Sequence, residues 1–147
     1  MHIPLLYSIL ELVEPDRKKR KQKLDALLEE FSISHLRNSP ATSLSGGERR
    51  RTEIARALAN DPKFILLDEP FAGIDPIAVN EIRGLVSQLK NRGLGVIITD
   101  HNVRETLGIT DRSYVLHDGM ILKHGTSDEI IRDDMVKKVY LGEDFVM

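Results

Sequence analysis

The sequence predicts an α/β fold, and three observations carry that prediction. Apolar residues recur at helical spacing through the first third of the chain. Two short, continuous apolar runs, Phe64–Leu67 and Val96–Thr99, are typical of strands buried on both faces of a parallel sheet. A helical pattern with Ile82, Leu85 and Leu89 on its apolar face separates the two runs. A strand, a helix and a second strand in this order predict a parallel sheet with a crossover helix.

Two helices are expected in the part of the chain before Leu44. The first contains Leu6 to Val13, and the second runs from Asp16 to Phe31. The basic run Arg17–Lys23 in the second helix has two interpretations, namely contact with anionic lipid or nucleic acid, or a solvated helix face. We favour the solvated face because the acids elsewhere leave a net charge of -2. The following segment, Ser32–Ser43, is polar and is expected to be a linker.

The second half of the chain carries start and stop signals for several further elements. Asp75 followed by Pro76 predicts the start of the crossover helix. Asp118-Gly119 predicts a tight hairpin turn. The expected elements around these signals are a helix at Val103–Leu107, strands at Ser113–His117 and Met120–His124, a helix capped by Thr126 and Glu129, and a last helix from Asp134 to Leu141.

Length and composition bound the class of protein. A chain of 147 residues can form one domain with a real core. No stretch approaches the ~18 consecutive apolar residues of a membrane span, so no bilayer crossing is expected. The N-terminal residues also lack the pattern of a signal peptide. The absence of cysteine excludes disulfides and thiolate metal sites, which fits a cytoplasmic location.

Leu44-Ser45-Gly46-Gly47-Glu48 precedes a helical pattern that reaches Asn60. Ser45 and Glu48 have the spacing of a capping box, which fixes the start of the helix. The predicted apolar face of this helix comprises Ile54, Ala55, Ala57 and Leu58. A helix N-terminus offers free N–H groups and the positive end of a dipole, and glycines let an anion approach closely. The segment is therefore a candidate phosphate-binding site, although a simple capped helix would show the same local pattern.

Acidic residues and a histidine follow the two predicted strands. Asp68 ends the first strand, where a carboxylate suits Mg²⁺. Glu69 is next to it and is a candidate general base for an attacking water. His101 follows the second strand, at the edge where open α/β sheets bind ligands. No role is assigned to the other four histidines, which lack such a context.

The order of these motifs resembles the ATPase subunit of ABC transporters. The resemblance implies part of a P-loop NTPase fold, with residues 1–60 in a partial helical subdomain and residues 61–147 in the C-terminal half of the ATPase core. It implies ATP and Mg²⁺ as cofactors, with His101 contacting the γ-phosphate. Ser45, Gly46, Gly47 and Glu48 would bind the γ-phosphate held by a second copy in a head-to-tail homodimer. Asp75 would belong to the loop that crosses between the two copies.

One family motif is missing. A phosphate-cradling loop reads Gly-x-x-x-x-Gly-Lys-Ser/Thr, and the chain contains no Gly-Lys pair. The resemblance therefore covers about the C-terminal three-fifths of such an ATPase, judging by usual domain sizes. The chain alone is expected not to hydrolyse ATP.

Flanking sequences narrow the resemblance within the family. The runs Glu48–Ala59, Phe71–Pro76, Thr99–Leu107 and Val139–Phe145 resemble the branch that exports lipopolysaccharide. That branch implies transmembrane permease subunits as partners, no nucleic acid, and a location on the inner face of the inner membrane of a Gram-negative bacterium. Three alternatives stay open: the ATPase of a branched-chain amino-acid importer, a soluble DNA-repair type of ABC ATPase, and a non-catalytic interaction fragment.

Overall fold

The computed structural model describes residues 4–73 and 76–142, which divide into two compact units. The first unit comprises Met1–Ile65 and Ser87–Ile97, and the second comprises Leu66–Val86 and Ile98–Met147. The elements in chain order are α1 (Pro4–Val13), α2 (Arg17–Glu30), 3-10 turns at Ser34–Leu36 and Ala41–Ser43, α3 (Gly46–Leu58), β1 (Phe64–Asp68), α4 (Pro76–Asn91), β2 (Gly95–Thr99), α5 (Val103–Leu107), β3 (Ser113–His117), β4 (Met120–Gly125), α6 (Ser127–Arg132) and α7 (Asp134–Val136), followed by a π-helical turn at Lys137–Leu141.

Helices α1, α2 and α3 build the core of the first unit. Helix α2 buries Leu24, Leu27 and Leu28, and its C-cap residue Phe31 is 1% exposed. The face of α3 was predicted correctly at Ile54, Ala55 and Leu58, which are buried. It was wrong at Ala57, which is exposed. The 100° rotation per residue carries Ala57 away from the middle of the buried stripe.

Strands β1 and β2 form a two-stranded sheet, and two hydrogen bonds show that it is parallel. Gly95 N, at the start of β2, donates to the carbonyl of Lys63 just before β1 (2.9 Å). At the other end, Glu69 N donates to the carbonyl of Thr99 (2.7 Å). Both strands therefore start at one edge of the sheet and end at the other, as the strand–helix–strand pattern predicted.

The prediction that these strands are buried on both faces is wrong. The side chains of β1 alternate between exposed and buried, and Phe64 and Leu66 are 67% and 63% exposed. Ile97 in β2 is 54% exposed. Within the described chain, packing covers only one face of this sheet. The continuous apolar run therefore did not reveal that alternate side chains lack a covering layer.

The hairpin of β3 and β4 was predicted correctly and anchors the second unit. Asp118 and Gly119 both have positive φ (48° and 75°), as a type I′ turn requires. The register shifts between Val115 and Leu116, which identifies a β-bulge. The hairpin, α5 and the C-terminal helices share a buried apolar cluster consisting of Leu107, Val115, Ile130 and Val136.

The remaining helix predictions are largely confirmed. Crossover helix α4 buries Ile82, Leu85 and Leu89, and α6 begins at the capping box formed by Thr126 and Glu129. The last helix differs from the prediction because it widens into a π turn from Lys137. None of the helices in the described part of the chain is both long and apolar enough to cross a membrane.

Candidate functional site

Asp68 and Glu69 lie in the second unit, where the parallel strands end. Thr99 Oγ1, at the end of β2, donates a hydrogen bond to Asp68 Oδ1 (2.5 Å). That bond fixes one carboxylate oxygen of Asp68. The Asp68 residue remains exposed. The next residue, Glu69, directs its side chain to solvent and is 60% exposed.

His101 lies beside Glu69 in the same unit. Its Nδ1 atom is 3.8 Å from Glu69 Oε1, which is longer than a hydrogen bond. The two side chains are 69% and 60% exposed, so both can reach a ligand at the strand ends. The structure thus brings together Asp68, Glu69 and His101, which the sequence analysis selected separately. This grouping combines a carboxylate that can accept a proton with a ring that can donate one.

Asp100 is a site residue that the sequence analysis missed. Its side chain is fully buried (0% exposed), although its backbone is partly exposed. Asp100 Oδ2 accepts a hydrogen bond from Phe71 N (2.7 Å), and Oδ1 accepts one from Asn102 N (2.8 Å). The carboxylate therefore ties the turn after Glu69 to the turn that carries His101. The bond to Asn102 forms an Asx turn, a local signal that could have identified Asp100 from sequence.

The backbone of Glu69 has a left-handed conformation. Its φ of 45° is uncommon for a residue other than glycine and costs on the order of 1–3 kcal/mol. Hydrogen bonds on both sides of its peptide maintain this conformation, since Glu69 N donates to Thr99 O and Ala72 N donates to Glu69 O (3.1 Å). The turn therefore fixes where the Glu69 carboxylate leaves the backbone.

The exposed carboxylate at the end of β1 fits Mg²⁺ in part. Among the described residues, no group of three or more His, Asp or Glu side chains is placed to hold a metal ion. Mg²⁺ is commonly bound by one or two carboxylates, with substrate phosphates and water completing its six oxygen ligands. Asp68 matches that mode, because Thr99 orients its carboxylate without burying it.

The candidate phosphate-binding residues Ser45–Glu48, called the signature from here on, lie in the first unit at the N-terminus of α3. Ser45 is the N-cap and Glu48 completes the predicted capping box. Glu48 N donates to Ser45 Oγ (3.3 Å), while Ser45 N and Oγ donate to Glu48 Oε2 (2.9 and 2.7 Å). Apart from its chain neighbours and the backbone of its own helix, no heavy atom of the described residues lies within 4 Å of the position that a Cβ on Gly46 would occupy, so a ligand can approach the backbone there.

Gly47 and Asp75 are the remaining predicted site residues. Gly47 lies in the first turn of α3, next to Gly46. Asp75, predicted to cap α4 and to cross between two copies, lies outside the described residues.

The capping box has a consequence for acid stability. Hydrogen bonds from the backbone and hydroxyl of Ser45, and then from His35, lower the pKa of Glu48 from 4.5 to about 2. A carboxyl whose pKa is lower in the folded state stabilises the fold above its unfolded pKa. This contribution is lost as the pH falls from 4.5 towards 2.

We therefore expect Glu48→Gln to destabilise the chain near neutral pH and to have a shrinking effect in acid. Urea denaturation at a series of pH values would measure the difference in unfolding free energy between the two proteins. Glu53→Gln is the matched control, because Glu53 is an exposed residue of the same helix. A difference for Glu48→Gln that stays constant down to pH ~2.5 would contradict the lowered pKa.

Comparisons with known proteins match the chain to ATP-binding proteins of ABC transporters. The family model described as ABC transporter matches residues 4–72. A probable ABC transporter ATP-binding protein of Azorhizobium caulinodans is 61% identical over 138 residues, which are 94% of this chain and 49% of that protein. The lipopolysaccharide export system ATP-binding protein LptB of Escherichia coli K12 is 59% identical over 141 residues, covering 95% of this chain and 58% of LptB.

A solved structure supports the same family. MJ1267, an ATP-binding cassette of an ABC transporter in its ADP conformation, has a TM-score of 0.80 and 28% sequence identity. The match covers 97% of this chain and 63% of MJ1267. The chain belongs to the ABC transporter family of ATP-binding proteins. It spans about half the length of the curated relatives that it matches.

Proposed function

We propose that the chain is the C-terminal part of an ABC transporter ATPase that couples ATP binding and hydrolysis to lipopolysaccharide export. The observation that supports this most directly is 59% identity to LptB of both Escherichia coli and Haemophilus influenzae over 95% of the chain. Relatives of similar identity from Azorhizobium caulinodans and Rhizobium meliloti carry no named substrate. Lipopolysaccharide is therefore the proposed cargo, and the importer ATPase is the alternative within the family.

In this proposal the strand ends of the second unit carry out hydrolysis. Glu69 accepts a proton from the attacking water, and His101 donates a hydrogen bond to the γ-phosphate. Asp68 would hold Mg²⁺, which supplies positive charge to the phosphates when bound. Their grouping at the carboxyl ends of two parallel strands supports these roles, since ligands of open α/β sheets bind at that edge.

The N-terminus of α3 would bind the γ-phosphate of an ATP held by a second subunit. The 13-residue helix directs its first N–H groups at the ligand and adds the positive end of its dipole. The open backbone at Gly46 supports a close approach by phosphate. Ser45, Gly46, Gly47 and Glu48 form this end of the helix. Their partner in the chemistry would be the phosphate loop of another family member.

Membrane permease subunits would complete the transporter, with the ATPase on the cytoplasmic side of the inner membrane. A role in binding nucleic acid is not favoured. Of the basic residues in α2, Arg20 pairs with Glu11 (3.0 Å) and Lys23 pairs with Asp61 (2.5 Å), so acids of the same chain neutralise part of the basic run.

The proposal predicts that this chain binds a full-length family member only when that partner holds ATP. Labelled chain would be titrated with Escherichia coli LptB in the presence and absence of MgATP, and association measured by fluorescence anisotropy. Calorimetry with MgATP and the chain alone should give no binding, because the chain has no Gly-Lys phosphate loop.

Ser45→Arg should weaken the ATP-dependent association by about 100-fold or more. It replaces the N-cap of α3 with a bulky cation at the point where the phosphate approaches. Ser43→Arg is the matched control, since Ser43 is an exposed residue two positions earlier and lies outside the capping box. Undiminished ATP-dependent association of Ser45→Arg would contradict binding of phosphate at this helix end.

A further inference from the structure

The signature serine has its only hydroxyl proton committed to Glu48. A carboxylate has acceptors but no proton to donate, so Ser45 Oγ must be the donor in its 2.7 Å contact with Glu48 Oε2. A phosphate likewise offers only acceptor oxygens. Ser45 can therefore donate to an incoming phosphate only if its hydroxyl turns away from Glu48. The two anions compete for one proton.

His35 contacts the other oxygen of the same carboxylate. The ring atom Nε2 of His35 lies 3.1 Å from Glu48 Oε1. Since the carboxylate can only accept, Nε2 must carry the proton in this hydrogen bond. His35 belongs to the 3-10 turn Ser34–Leu36, thirteen residues before Glu48, so the contact is not part of the capping box itself. The two side chains are 62% and 22% exposed.

The hydrogen bond from His35 lowers the free-energy cost of turning the Ser45 hydroxyl away from Glu48. When the hydroxyl turns to a phosphate, Glu48 keeps a bond from Ser45 N on Oε2 (2.9 Å) and the bond from His35 on Oε1. Without His35, the carboxylate would lose a larger share of its donors and would hold the serine hydroxyl more tightly.

We propose that His35 is a positioning residue for the signature: it acts through Glu48 to free the Ser45 hydroxyl for the γ-phosphate of a partner-held ATP. This inference rests on the proposed function, because it requires that α3 bind phosphate in trans. His35 itself does not touch the phosphate.

The test uses the complete chain in the ATP-dependent association with Escherichia coli LptB. His35→Leu removes the donor, and we expect it to weaken association with ATP-loaded LptB about threefold to tenfold, the range of one hydrogen bond. His35→Gln restores an N–H donor and should recover association to within about twofold. His117→Leu is the matched control, because it makes the same exchange at a half-exposed histidine in the second unit.

A spectroscopic measurement separates positioning from a general loss of structure. His35→Leu should raise the pKa of Glu48 from about 2 towards 4.5, as followed by the carboxyl carbon signal in NMR, while the helical circular dichroism is unchanged. In a Glu48→Ala background, His35→Leu should have no further effect on association, since the residue through which it acts is gone.

The outcomes distinguish the two proposals. If the unsubstituted chain shows no ATP-dependent association, the proposed function fails. If it associates normally and His35→Leu has the same affinity, the role of His35 is wrong while the proposed function stands. A loss in His35→Leu that persists undiminished in the Glu48→Ala background would also overturn the inference, because the effect would not pass through Glu48.

Discussion

Glu69→Gln is expected to lower ATP turnover by about 100- to 10,000-fold in a hybrid that joins this chain to the N-terminal part of Escherichia coli LptB. The amide has nearly the shape of the carboxylate but cannot accept a proton from the attacking water. The substitution leaves the backbone unchanged, so the two peptide hydrogen bonds that fix φ at 45° should persist. Steady-state phosphate release by the hybrid would measure the effect.

The affinity for MgATP shows whether Glu69→Gln impairs hydrolysis or ATP binding. Since Glu69 is 60% exposed and the amide keeps the shape of its side chain, we expect MgATP affinity in the hybrid to change by less than about threefold. Glu53→Gln on α3 controls for the loss of one exposed negative charge and should leave turnover unchanged. Turnover of Glu69→Gln within about twofold of the parent hybrid would contradict the proposed role of Glu69 as general base.

The local elements were predictable because their signals are short and chemically specific. The capping box at Ser45 and Glu48 and the turn at Asp118-Gly119 each depend on residues within four positions of one another. The fold class followed from the two apolar runs and the helix between them. These features constrain the backbone wherever they occur, so no knowledge of the tertiary packing was needed.

Long-range contacts were harder to predict. The exposure of Phe64 and Leu66 depends on whether another layer packs on the sheet, which an apolar run does not reveal. The contact between His35 and Glu48 joins residues thirteen apart through a turn whose path has no clear sequence pattern. The grouping of Asp68, Glu69 and His101 was inferable only because parallel strands place their carboxyl ends at one edge.

Asp100→Ala is expected to destabilise the second unit by about 3–4 kcal/mol and to displace His101 from Glu69. The buried carboxylate accepts two backbone N–H groups, and hydrogen bonds to a charged acceptor contribute about 1.5–3 kcal/mol each. We expect a loss near the lower end of the sum for two such bonds, because water can reach the partly exposed backbone and replace part of the lost interaction.

A second variant, Asp100→Asn, tests whether the Asp100 carboxylate connects the two turns or only supports its own turn. Asp100→Asn retains one carbonyl oxygen, so it can keep the bond from Phe71 N or from Asn102 N but not both, and an intermediate loss is expected. Asp128→Ala, at an exposed aspartate in the same unit, controls for charge. Urea denaturation would measure stability, and amide hydrogen exchange at Phe71 and Asn102 would report the two bonds. Because Asp100 joins the turn after Glu69 to the turn that carries His101, both amides should exchange faster in Asp100→Ala. Unchanged protection at Phe71 would show that the Glu69 turn holds its shape without this carboxylate.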